Sequence, residues 1–312
     1  MLNIYLTDEH GKLNEVNELT KGCWINLISP TTEEIKYVVD HTEVPEDFIR
    51  DPLDDDERSR IEKEDQNVIT IVDIPVKVND DSDSALYDTI PIGIIVTPYY
   101  FITVCLQSNP IIDKFIQNKV KGFFTYKKTR FTLQILYMIS TFYLNYLRRI
   151  DRKTTEIENE LSRAMKNKEL FSLLSLEKTL VYFTTSLKAN NIVMEKMLKQ
   201  HFLRMYEDDQ DLLEDVIIEN KQAIEMTEVY SKVLNGMMDT YASVISNNVN
   251  FVMKFLTAVT IVLTLPTMVA SFYGMNVPIP FQHKPDAILF PLIISIGLSV
   301  ITAVIFWKKK YF

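Results

Sequence analysis

Apolar positions change their rhythm twice along the chain. Up to Val104 they come in short runs, at Leu2–Leu6, Trp24–Ile28, Val68–Val72, Ile90–Val96 and Tyr100–Val104. Runs of this length, alternating or rich in β-branched residues, predict strands. Between them, Ser29-Pro30-Thr31-Thr32-Glu33-Glu34 predicts a helix start, with a capping hydroxyl, an early proline and first-turn carboxylates. Asp80-Asp81-Ser82-Asp83-Ser84 reads as a polar hairpin loop.

From Ile111 to Leu265 there is no proline, and the only glycines are Gly122 and Gly236. Such a stretch predicts helix throughout, broken by polar links near Lys166–Lys168 and Glu207–Gln210. Three helices follow, at roughly 130–165, 169–203 and from Asp211 to Gly274, the first two as an antiparallel hairpin and the third ~95 Å long at 1.5 Å per residue. Met226, Tyr230, Val233, Met237, Tyr241 and Val244 recur at spacings of 4, 3, 4, 4 and 3, a coiled-coil-like seam. Its partner is either a helix of another chain or the first two helices of this one.

The last rhythm is continuous. Phe255–Tyr273 and Ile288–Trp307 contain no charged residue and are 19 and 20 residues long. Each is long enough to cross ~30 Å of hydrocarbon. Pro278, Pro280 and Pro285 in the intervening segment, 274–287, predict a short loop. Lys254 precedes the first span and Lys308-Lys309-Lys310 follow the second, while the loop has Lys284 balanced by Asp286. The positive-inside bias therefore places both termini in the cytoplasm. The reading is an α+β membrane protein with an α/β domain at 1–128, a long-helix bundle and stalk at 129–254 and a transmembrane hairpin at 255–312.

The first span has two faces. Thr257, Thr260, Thr264, Thr267 and Ser271 continue backwards in the same rhythm to Met253 and Asn250. At 100° per residue they occupy an arc of roughly 100°. Leu256, Val259, Val262, Leu263 and Val269 make the rest aliphatic. A polar stripe in lipid must face protein or water. Two readings remain open: hydroxyls bonded back to the i−4 carbonyl at a helix contact, or a pore lining. Two spans cannot enclose a pore, so the second reading needs several copies around a closed axis. After the span, Gly274 can take the left-handed conformation that ends a helix. Asn276 then offers an amide oxygen, and a ring of such oxygens with Gly274 carbonyls could hold Mg²⁺ through its water shell.

Composition narrows the alternatives. Apolar residues are 47% and charged residues 24%, and nearly all the charge precedes Lys254. A net charge of −9 with no basic block before the C-terminus gives no support for nucleic-acid binding. Cys23 and Cys105 read as buried thiols of a reducing compartment, and the first residues lack a signal-peptide pattern. His10, His41, His201 and His283 have no ligand spacing. The run Asp51, Asp54, Asp55, Asp56, Glu57, interleaved with Arg58 and Arg60, reads as solvated rather than as a metal cage. Phosphate-loop and nucleophile motifs are missing, so no enzyme and no bound cofactor are expected.

Tyr273-Gly274-Met275-Asn276, set between two C-terminal spans after a very long helix, resembles the Gly-Met-Asn signature of the CorA family of magnesium transporters. Met238-Asp239-Thr240-Tyr241 and the stretch from Ser246 to Lys254 resemble that family's passage from stalk into pore. The resemblance implies a homopentameric funnel in the plasma membrane, in contact with lipid, with the first spans around the pore. It implies an ion-selecting ring at Gly274 and Asn276, an inner constriction at Asn250, Met253 and Leu256 or Thr257, and a basic collar at Lys308, Lys309 and Lys310. Mg²⁺ would be cargo, driven by the membrane potential and gated from the cytoplasmic domain. Alternatives are a Zn²⁺, Co²⁺ or Ni²⁺ transporter of the same family, or a membrane-anchored sensor that conducts nothing.

Three departures stand out. Lys232 lies where relatives can carry an acidic residue for a regulatory Mg²⁺, which argues against that site here or for its having moved, with Asp80, Asp81 and Asp83 as candidates for a moved site. Asp286 is the lone acid of the outer loop. Thr264 stands where some relatives of that family have a bulky hydrophobe, which would confine a hydrophobic gate to Met253 and Leu256.

Overall fold

The computed structural model describes residues 1–78, 86–163, 167–275 and 288–309, which fall into two compact units, 1–236 and 237–312. The division lies inside the helix Glu207–Tyr273.

In the first unit, β1 (Leu2–Thr7), β2 (Leu13–Glu15), β3 (Trp24–Ile28), β4 (Arg60–Glu64), β5 (Asn67–Val78), β6 (Leu86–Val96) and β7 (Phe101–Cys105) form one sheet. Their order is β2-β1-β3-β7-β6-β5-β4. β3 and β7 pair in parallel, Trp24 opposite Phe101, and the other neighbours are antiparallel. On one face, Ile25, Leu27, Ile69, Ile71, Ile102 and Val104 pack against Ile35, Val38, Phe48 and Ile49. These four belong to α1 (Thr32–Thr42) and α2 (Glu46–Arg50). The other face is covered by α4 (Lys128–Arg163) and α5 (Asn167–Gln200), which also pack on each other. There Phe131 stacks on Phe101 at 4.1 Å and meets Trp24 edge-on at 5.1 Å. Truncating so central a ring to alanine costs about 3–5 kcal/mol. A sheet covered on both faces needs apolar side chains at successive positions, and hence unbroken apolar runs.

Three buried polar side chains on this face are linked in a chain. Trp24 Nε1 donates to Thr103 Oγ1 at 2.8 Å, and that hydroxyl donates to Asn26 Oδ1 at 2.8 Å. β4 pairs with β5 as far as Ile71. Beyond it, Asn190 of α5 completes the strand edge: its Oδ1 accepts from the Asp73 amide at 2.9 Å, and its Nδ2 donates to the Asp73 carbonyl at 2.8 Å.

Several local expectations are corrected. α1 starts with a capping box in which the Thr31 hydroxyl accepts from the Glu34 amide and Glu34 accepts from the Thr31 amide. Pro30 precedes the cap rather than opening the helix. The segment from Ile111 onward is not helical throughout. α3 (Pro110–Ile116) ends at Gln117, and the chain then turns through Asn118 (φ 53°) and Gly122 (φ 69°) before α4. α6 (Glu207–Tyr273) starts four residues before Asp211, because Glu207, Asp208 and Asp209 are its first turn rather than a linker. Carboxylates there sit at the favourable end of the helix dipole, and Asp209 Oδ2 accepts from the Tyr206 amide. The break falls at 201–206, where His201 has φ 48°. Arg60 gathers Asp51, Glu57 and Glu62 at the start of β4, while Asp54, Asp55 and Asp56 of the acidic run are exposed, as a solvated run would be.

Within the first unit, α6 buries Leu213, Val216, Asn220, Ala223, Thr227 and Leu234. Asn220 Nδ2 donates to the Leu187 carbonyl of α5 at 3.0 Å. This covered face lies one position away from the seam read in the sequence, and Val233 of that seam is exposed.

Candidate ion-conducting site

The second unit consists of the end of α6 and of α7 (Leu289–Lys308). α6 and α7 each contain a stretch long and apolar enough to cross a membrane. Asn276 and the rest of the stretch 276–287 lie outside the described residues, as do Lys310 and the candidate regulatory residues Asp80, Asp81 and Asp83. Among the described residues, no group of three His, Cys, Asp or Glu side chains could hold a metal ion.

The hydroxyl stripe is regular in its bonding. Thr257 donates to the Met253 carbonyl at 2.8 Å, Thr260 to Leu256 at 2.8 Å, Thr264 to Thr260 at 2.7 Å and Thr267 to Leu263 at 3.2 Å. Each donor is thereby satisfied inside its own helix, whereas the oxygen keeps a lone pair directed outward. These four threonines are exposed, as are Asn250, Met253, Leu256 and Ser271. In an otherwise apolar span the stripe is thus a row of acceptors that needs no donor of its own.

α7 packs on the other side. Along α6 the positions it shelters are Ala258, Val259, Val262, Leu265, Pro266, Val269 and Tyr273. At 100° per residue their mean direction is about 180° from that of the threonines. α7 presents Ser295, Ser299 and Ala303 at four-residue spacing, small residues that allow close helix approach. Ser295 is turned inward, and its hydroxyl donates to the Pro291 carbonyl at 2.7 Å. Tyr273 and Phe290 face each other with centroids 6.5 Å apart. The helix-contact reading of the stripe is therefore half right: the back-bonds form, but the chain's own second span is on the opposite face.

Pro266 and Ser299 belong to this arrangement and were not singled out in the sequence. A proline cannot donate to the carbonyl four residues earlier, and the Ser299 hydroxyl donates to that carbonyl, of Val262, at 3.4 Å. The available signal was a proline inside one span with serines in the other.

α6 ends at Tyr273. The Gly274 amide reaches the Ala270 carbonyl at 2.9 Å, and the Met275 amide reaches Phe272 at 3.3 Å. Gly274 is not in the left-handed region, in contrast to Gly11, Gly22 and Gly122, so the expectation of a left-handed helix terminus is corrected. A Cβ at Gly274 would meet the Ala270 carbonyl oxygen at 3.4 Å, an ordinary contact. Neither backbone conformation nor crowding within the chain demands a glycine here. Lys308 and Lys309 are exposed at the end of α7.

Comparison with known families is decisive at this point. The family described as CorA-like Mg²⁺ transporter protein matches residues 20–310. The chain belongs to this family. Among curated CorA proteins, it is 26% identical over 308 residues to the cobalt/magnesium transport protein of Methanocaldococcus jannaschii, covering 96% of this chain and 95% of the relative. The cobalt/magnesium transport protein CorA of Thermotoga maritima is 29% identical over 149 residues, 43% of this chain and 41% of that one. The complete structure of the Methanocaldococcus jannaschii CorA magnesium transporter superposes with a TM-score of 0.86 at 23% identity, covering 100% and 99% of the two chains. The full-length CmaX protein follows the same fold at a TM-score of 0.75 and 14% identity, over 98% and 96%. The CorA architecture of a soluble α/β part, a long helix and two candidate spans thus runs through the whole chain, which is a membrane protein of a transporter family.

Proposed function

We propose that this chain is one subunit of a homopentameric Mg²⁺ channel of the plasma membrane, with both termini in the cytoplasm. Five copies of α6 surround the axis, and α7 lies outside them toward lipid. The observation that carries this reading is the opposition of the two faces of α6, apolar contacts to α7 on one side and back-bonded threonines on the other. Hydrated Mg²⁺ gives up its inner waters reluctantly, so it presents O–H donors outward. A wall of hydroxyl oxygens whose own donors are already used is matched to that shell. No charged side chain from Phe255 to Met275 is needed for it.

Met253 and Leu256 with Asn250 and Thr257 form the inner constriction, and Lys308, Lys309 and Lys310 the collar around it. At the outer end, Tyr273, Gly274, Met275 and Asn276 form the filter, with Asn276 amide oxygens receiving the waters of the ion. An inside-negative potential drives entry, worth about 4.6 kcal/mol per 100 mV for a divalent ion. Cobalt is a second cargo, in keeping with the relatives named for both metals. Regulation by cytoplasmic Mg²⁺ is not assigned a site: Lys232 is exposed and lies in the field of Glu228, whose carboxylate bonds Lys188 at 2.6 Å.

The test is Asn276→Ala in the full chain, with Mg²⁺ uptake followed by a fluorescent indicator in liposomes and assembly by mass in detergent. Uptake is lost and the assembly mass is kept. Uptake at the wild-type rate would remove Asn276 from the filter.

A further inference from the structure

An open cavity of about 920 Å³ lies in the first unit, where β4 and β5 approach the starts of α4 and α6. Five cations line it, Lys63, Lys127, Lys128, Arg130 and Arg204, against two carboxylates, Asp208 and Asp209. This is unexpected in a chain of net charge −9. The bias is local, because between Asp113 and Asp151 the sequence has eight Lys or Arg and no Asp or Glu.

Two of the five cations have structural partners. Arg130 Nη1 donates to the Asp208 carbonyl at 2.8 Å and approaches Asp209 Oδ1 at 3.4 Å. Lys128 Nζ donates to the carbonyls of Thr97 and Pro98, and burial lowers its pKa. Lys63, Lys127 and Arg204 form no ion pair among the described residues. Lys127 Nζ rests 4.8 Å from the Phe124 ring centroid, and the Arg204 guanidinium 5.8 Å from that of Tyr206. The first turn of α4 adds to the imbalance, for it holds Lys128 and Arg130 and no carboxylate. Cations at that end oppose the helix dipole, and an anion there relieves both conflicts.

The cavity also offers planar apolar surface. Tyr126 and Tyr206 line it and are 49% and 67% exposed. Rings open to solvent beside unpaired cations suit a ligand with a flat heterocycle and several phosphates. A volume of this size is within the range of small-molecule sites, about 300–1,000 Å³.

We propose that this cavity binds a nucleoside triphosphate. The phosphates take Lys63, Lys127 and Arg204, and the base lies against the Tyr126 and Tyr206 rings. The site is separate from the conducting helices, and its occupancy is read without measuring flux, so the proposal stands or falls apart from the transport reading.

The experiment is calorimetric titration of the full chain in detergent at low ionic strength, with ATP, adenosine and inorganic tripolyphosphate as probes. ATP binds saturably, and adenosine and tripolyphosphate each bind at least ~10-fold more weakly. Lys127→Ala and Arg204→Ala each weaken ATP binding about tenfold, and added salt weakens it in the wild type. Tyr206→Leu weakens ATP and leaves tripolyphosphate unchanged. Thermal unfolding of each variant establishes that it is folded, and the salt series in the wild type needs no variant. Absence of saturable ATP binding overturns the proposal. So does adenosine or tripolyphosphate binding as tightly as ATP, wild-type affinity in both alanine variants, or affinity indifferent to salt.

Discussion

Ser299 reaches across from α7 to donate to the Val262 carbonyl at 3.4 Å, the carbonyl that Pro266 leaves without an amide partner. In hydrocarbon no water can fill that vacancy, so a neighbouring hydroxyl is a natural substitute. The expected cost of Ser299→Ala is about 0.6 kcal/mol, typical of interhelical hydrogen bonds in membranes. In a Pro266→Ala background the restored amide takes the carbonyl, and the same substitution costs close to nothing. A double-mutant cycle on unfolding of the solubilised chain measures the difference. Equal costs in the two backgrounds would separate Ser299 from the proline.

Gly274 tests whether neighbouring subunits meet at the end of α6. A methyl group fits within the chain, at 3.4 Å from the Ala270 oxygen, and φ is not left-handed. Gly274→Ala therefore leaves the subunit folded, and by restricting the unfolded chain it stabilises it by about 0.4–1 kcal/mol. In the proposed pentamer the added methyls narrow the passage for a hydrated ion. Mg²⁺ flux falls at least ~10-fold, a barrier increase of about 1.4 kcal/mol, with helicity and assembly mass unchanged. Wild-type flux would place the constriction elsewhere.

The soluble unit carries a pH-dependent strain at Asp73. Burial pushes its pKa above the ordinary value of 3.8. Beside it, Asn190 and the Tyr143 hydroxyl both bond its main-chain carbonyl. The folded state holds this proton more tightly than the unfolded chain, so stability falls as pH rises from the ordinary aspartate value through the folded one. Asp73→Asn removes the ionisation. Its Tm is expected to exceed that of the wild type at pH 7, with the gap closing as pH falls below about 4. A gap independent of pH would show that the charge is not its source.

The central strands and the membrane spans were legible because each is specified by its own residues. Ile69 and Ile71 face one layer of helices while Val68 and Thr70 face the other, and the result is an unbroken apolar run. β2 and β4 were not legible: as edge strands they bury Leu13 and Ile61 alone and otherwise read as polar loop. α3 was lost inside an apparently continuous helix, although Asn109 caps it and Pro110 opens it. At the site, the spacing of the threonines was visible, but not the side on which α7 packs. That depends on Ser295, Ser299 and Ala303 in a different segment, and on a proline whose consequence appears only when the two helices meet.

The orientation of α6 gives the sharpest test. Single cysteines at Thr260, Thr264 and Thr267 should react with a charged, membrane-impermeant thiol reagent, because in the proposed assembly they face water. Cysteines at Val262 and Val269, sheltered by α7 in each subunit, should not. Background labelling is low without removing native thiols, for Cys23 and Cys105 are buried and burial raises the pKa of both. The thiolate is the reactive form, so labelling of the stripe should rise with pH toward the ordinary thiol value near 8.5. Mg²⁺ uptake should fall in parallel as modified side chains obstruct the passage. Labelling at Val262 and Val269 with the threonine positions silent would turn the helix about half a revolution and leave no pore for the threonines to line.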